Sequence, residues 1–165
     1  MALLRLIHIL AGIFWLGATL TLAGFLLPAL RGSGGSGTLW RTVMQRQRLQ
    51  LWINISMTLA ILAGFALYAI DSAASNGAFA RSTAGKTFGL GALLAIAAAG
   101  VMGAMSQPSS RKLAALGDEK KQGAGVPTDL ATVAAALQDR ISRGLTIASV
   151  LLLLSAMAMA VARYL

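Results

Sequence analysis

Residues 3–30, LLRLIHILAGIFWLGATLTLAGFLLPAL, decide the fold. About 20 apolar residues carry a helix across the hydrocarbon core of a bilayer, and this run is long enough to span with a turn to spare. His8 is the only histidine of the chain and lies near the start of the run. On a 3.6-residue repeat Gly12 and Trp15 fall on its stripe, so one face presents an imidazole, a gap and an indole. An ionisable group inside a span is expensive to keep and points to ligand binding or proton handling. The alternative reading is a neutral interfacial histidine bonded to a carbonyl or a headgroup.

The composition agrees with a membrane protein. Of 165 residues 57% are hydrophobic and only 12% charged, with a mean hydropathy of +0.74, far from an ordinary soluble domain. The net charge of +9 would suggest nucleic acid in a soluble protein. Here the basic residues flank apolar runs and are not interleaved with aromatics, so no nucleic-acid partner is expected and the charge is read as topology and contact with membrane lipids. With no cysteine, disulfides, iron–sulfur clusters and thiolate metal sites are excluded. The first run is too long for a signal peptide and lacks a small-residue cleavage site, so it is expected to be retained.

Three further apolar runs follow. RGSGGSGT (31–38) stops the first span, and LWRTVMQRQRLQ (39–50) reads as a helix start on the membrane surface that feeds straight into a second span over about 49–70. Asn54, Ser56 and Thr58 are its polar interior, suited to hydrogen bonds with neighbouring helices. DSAASNGAFARSTAGK (71–86) is a short connection. The third span, about 87–105, is rich in glycine and alanine: Gly91, Ala95, Ala99 and Gly103 stand four apart, and Gly85 and Gly89, and Gly100 and Ala104, repeat the spacing that lets helices approach closely in lipid. It is expected to be the central, most buried helix, or to offer a smooth face to a flat cofactor or a partner subunit. Residues 106–139 form the longest polar segment, with a mobile loop at GDEKKQGAGVP (117–127). After it Thr128 or Asp129 can cap a helix that runs on into a fourth span at about 145–161.

The basic residues set the orientation. Arg31, Arg41, Arg46, Arg48, Arg111, Lys112, Lys120, Lys121, Arg140 and Arg143 lie beside the first and third connections, whereas the other side has Arg5, Arg81, Lys86 and Arg163. The positive-inside rule places the ten in the cytoplasm and both termini on the outer side. His8 and Lys86 then share the outer side at similar depth, and a four-helix bundle can make their spans neighbours. One histidine excludes a bis-histidine haem within one chain and a three-histidine metal site. Phosphate loops, nucleophile elbows and hydrolase triads are missing. Methionine is the abundant soft donor, and thioethers suit copper(I) and haem iron, although methionines in apolar helices mostly serve packing.

The histidine early in span one, the Trp-x-Gly at its middle (Trp15, Gly17), the proline and basic residue at its inner end (Pro28, Arg31) and Lys86 at the start of span three resemble the CopD-like and HemJ-like group of small bacterial inner-membrane proteins. The resemblance implies an all-α, four-helix integral membrane bundle. In HemJ-like proteins the matching histidine is an axial haem b ligand and the lysine matters for protoporphyrinogen oxidation; in CopD-like proteins the association is with copper handling. Haem b or copper at His8, with Gly12 and Trp15 on its stripe and Lys86 as a pairing cation, is therefore one expectation. The other is a cofactor-free structural subunit or scaffold, packing on partner subunits or on a second copy through the span-three Gly/Ala face.

Overall fold

The computed structural model describes residues 1–32, 42, 44, 47–121 and 128–165, without the side chains of 30–32, 117–121 and 128–131. Among these residues the chain is all-α, and four helices are long and apolar enough to cross a membrane: Ala2–Ala29, Leu49–Ala74, Thr83–Leu116 and Thr132–Ala162. The chain is a multi-pass membrane protein built as a four-helix bundle. Helices satisfy their own backbone groups, which lipid cannot do for them, and the exposed side chains of Leu3, Leu6, Leu62, Leu93 and Met157 are the apolar surface that lipid tolerates.

Span one is α1 (Ala2–Thr21), a π-helical turn (Leu22–Leu26) and α2 (Leu27–Gly32). Span two is α3 (Leu49–Ala74). A left-handed corner at Asn76 (φ 49°) and Gly77 (φ 78°) leads into the short α4 (Ala78–Arg81). Ser82 then caps α5 (Thr83–Val101) by accepting from the Gly85 amide. Span three continues through a second π-helical turn (Met102–Ser106) into α6 (Gln107–Lys121), and span four is the end of one long helix, α7 (Thr128–Ala162). In order the spans form a closed ring, one beside two, two beside three, three beside four and four beside one. Spans one and three meet across the diagonal, where Trp15 Nε1 donates to Met102 Sδ at 3.4 Å.

Both π turns end two residues before a proline, Pro28 and Pro108. Proline has no N–H and its ring collides with the carbonyl four residues back, so a widened turn beforehand lets the helix pass it without ending. The carbonyl that Pro108 leaves without its helical donor is that of Ala104, and Arg140 Nη2 on α7 donates to it at 3.5 Å. This explains why the helix expected to stop near 105 runs on to Lys121: the part of 106–139 read as a polar connection before Thr128 holds α6, packed on the helix that starts at Thr128 and runs into span four as expected. Of the expected mobile loop at 117–127, residues 117–121 are helical and 122–127 lie outside the described residues.

Two further expectations are corrected. The second span does not continue from a surface helix, because Arg48 stands in the left-handed region (φ 56°) and α3 begins only after it; most of 39–47 lies outside the described residues. Span four, not span three, is the most buried, with 33% of its apolar window covered against 17% for each of the others. The glycines in the first half of span three face different neighbours: Gly85 packs on the backbone of Phe79 and Ala80, a Cβ at Gly89 would lie 3.8 Å from the Tyr68 hydroxyl of span two, and Gly91 faces span four. Gly91 lies against Met159 and the Ser155 carbonyl, and Ser155 Oγ donates to the Gly91 carbonyl at 2.7 Å, while Gly100 and Gly103 face open space. On the far side of that seam Gly144 of α7 fits against Ser106 and Met105, where an added Cβ would lie 2.5 Å from Ser106 Oγ and 3.0 Å from Met105 Cβ. Gly144→Ala is therefore expected to destabilise the bundle by about 1–3 kcal/mol as an overpacking change, and Gly100→Ala to leave stability unchanged or slightly raised; thermal unfolding in detergent, followed by circular dichroism, checks both.

Candidate functional site around His8

His8 stands two turns into α1, half-buried, and faces span two. Its Nδ1 lies 2.8 Å from the Ala60 carbonyl oxygen. A carbonyl can only accept, so Nδ1 carries the proton and, in the neutral ring, Nε2 holds the lone pair. The approach is possible because of Gly64, the only glycine of α3 and one turn beyond Ala60. A Cβ at Gly64 would lie 2.8 Å from His8 Cε1 and 3.2 Å from Nδ1, so the imidazole occupies the space that any other residue would fill. The ring thus meets bare backbone with its Nδ1–Cε1 edge and shares a carbonyl already engaged in the helix ladder.

Trp15, two turns further along the same stripe, is 2% exposed and joins span one to the π turn of span three through Met102. Thr19, fully buried, donates back to the Trp15 carbonyl at 2.7 Å. Gly12 lies between His8 and Trp15, and a Cβ there would meet nothing within 4 Å, so the stripe faces open space one turn below the imidazole. At the same end of the bundle Arg5 Nη2 faces Asp71 Oδ2 at 3.8 Å, tying the start of span one to the end of span two. That pair is largely solvent-facing and contributes under about 1 kcal/mol.

Lys86 is in the first turn of α5 with an exposed side chain. Its span lies diagonally across the ring from span one, and His8 makes its hydrogen bond to span two. His8, Gly12 and Trp15 therefore form one stripe as the spacing predicts, whereas the partner of the imidazole is a pair of residues, Ala60 and Gly64, that sequence reasoning did not single out. The signal was a lone glycine in an otherwise glycine-free span. Among the described residues no group of three His, Cys, Asp or Glu could hold a metal ion. No family profile, curated protein or solved structure matches the chain.

Gly64→Ala tests the fit. The added methyl should push the ring off the helix and cost the His8 to Ala60 bond, worth about 0.6 kcal/mol in a membrane, together with an overpacking term of about 1–3 kcal/mol. His8→Ala should cost less, and the double variant His8→Ala, Gly64→Ala should recover most of the Gly64→Ala loss, because the methyl then occupies vacated space. Unfolding midpoints of the four proteins in one detergent give the comparison.

Proposed function

We propose that the chain is a small four-span protein of the bacterial inner membrane, of the CopD-like and HemJ-like type, with both termini on the outer side, and that His8 is the protein ligand to a haem b iron. The observation that carries this reading is the hydrogen bond from Nδ1–H to the Ala60 carbonyl. Metal-bound histidines characteristically donate their other ring N–H to a carbonyl or carboxylate, which fixes the ring and leaves the remaining nitrogen as donor to the metal. Here that nitrogen is Nε2. The open space at Gly12 leaves no side chain in the way of a flat ligand beside it.

The donor set favours haem over copper. A macrocycle supplies the equatorial donors of its iron and needs one or two from the protein, whereas a copper ion needs several protein donors, and beside one histidine, no cysteine and no cluster of acids among the described residues this chain has only thioethers, of which Met102 already accepts from Trp15. A bound haem would supply one-electron redox chemistry. His8 would hold it, and the exposed Lys86 ammonium is suited to pairing with a carboxylate near the outer surface. A second reading rests on the same bond: Gly64 and Ala60 already give the imidazole a complete packing role, so His8 can serve as a clamp between spans one and two in a cofactor-free scaffold.

The absorbance spectrum of the protein purified from membranes of haem-producing cells, with a metal assay beside it, separates the two. The ligand reading predicts a Soret band that His8→Ala removes without loss of helicity, and that Lys86→Ala weakens only partly, by under about 1 kcal/mol of retention for a solvated charge pair. A colourless, metal-free preparation of the unaltered protein contradicts it and favours the scaffold.

A further inference from the structure

At the end of the bundle away from the termini, three carboxamides meet. Asn54 Oδ1, in the second turn of α3, accepts from Gln50 Nε2 on its own helix and from Gln107 Nε2 at the start of α6, both at 3.1 Å. With Met44, Ser110 and Arg111 they line a cavity of about 170 Å³ between spans two and three. A polar cluster at this depth is costly unless its hydrogen bonds are met. These two bonds use two of the six carboxamide N–H groups, so N–H groups on all three amides and the oxygens of Gln50 and Gln107 lie outside them, and the same balance holds if every amide is read in its flipped orientation.

The cavity wall thus offers carboxamide donors and acceptors, and it is also cationic. Arg111 lies on its wall, and among the described residues it has no carboxylate partner. Lys112 follows it on α6, and Arg48 precedes α3. Met44, 2% exposed, gives one apolar wall. Trp52, two residues from Asn54, points outward with 56% of its surface exposed, and an outward indole marks the level where headgroups meet acyl chains. Carboxamide N–H groups, a guanidinium with no carboxylate partner among the described residues and a position at headgroup depth together describe a site for a phosphate that arrives attached to a lipid.

We propose that this cavity binds the headgroup phosphate of an anionic phospholipid, with Arg111 providing the charge and the Asn54, Gln50 and Gln107 amides the directed hydrogen bonds. The site is separate from His8 and does not depend on any cofactor. It gives the basic end of the bundle a specific lipid contact beyond the diffuse attraction of polybasic segments to an anionic leaflet.

Native mass spectrometry of the protein in a non-ionic detergent tests this, with phosphatidylglycerol, phosphatidylcholine or inorganic phosphate added in turn. The expected result is retention of phosphatidylglycerol over phosphatidylcholine, reduced about fivefold in Arg111→Gln, the worth of one basic residue at an anionic surface, and unchanged in Arg163→Gln at the other end. Arg111 is exposed, so its replacement leaves the fold in place. Equal retention of the two lipids, an unaltered preference in Arg111→Gln, or adducts of free phosphate without lipid would each overturn the proposal.

Discussion

The imidazole of His8 against the bare backbone of Gly64 is the contact on which the half of the bundle that holds the termini depends. Lipid gives two apolar helices little reason to prefer each other over acyl chains, so specificity between spans comes from close approach and from a few hydrogen bonds. Spans one and two obtain both from one pair of positions. Gly64 removes the side chain that would separate them, and the Ala60 carbonyl it uncovers receives the proton of Nδ1. The tautomer that results is dictated by packing, and it is also the tautomer a haem ligand requires. Structure and proposed function thus share a single bond.

The same economy recurs at the other seams. Trp15 reaches a thioether in span three, Ser155 reaches the carbonyl of Gly91, and Arg140 reaches the carbonyl that Pro108 strips of its donor. In each case a side chain supplies a hydrogen bond to another span, and for the last two the acceptor is a helix carbonyl. The two π turns belong to this pattern. They let Pro28 and Pro108 sit inside long helices, so that spans one and three carry on beyond the point where a proline would otherwise end them.

The four spans were legible in the sequence because lipid demands long apolar runs and the chain supplies four. The stripe of His8, Gly12 and Trp15 was legible because helical spacing alone sets it. What escaped was whatever depends on pairing between helices. The extension of span three past 105 was hidden by Pro108, whose widened turn has no signature in hydropathy. The glycines of span three do mark close approach, but spacing could not say that Gly91 packs on span four while Gly100 faces outward. The diagonal placement of Lys86 relative to His8 follows from the order of the ring, and the gap that receives the imidazole is a single glycine 56 positions along the chain from it. Asn54 was readable as a polar group in a span, whereas its meeting with Gln107 required the fold.

The measurement that bears most directly on this account is the tautomer of His8 in a bilayer. Solid-state ¹⁵N NMR of the histidine-labelled protein, which has one imidazole and so one pair of ring signals, reads protonation at each nitrogen without assignment. The account predicts a ring protonated at Nδ1 and bare at Nε2, with a through-space correlation from the Nδ1 proton to the Ala60 carbonyl carbon that Gly64→Ala abolishes. A ring protonated at Nε2 alone, or one with no correlation to span two, would contradict it.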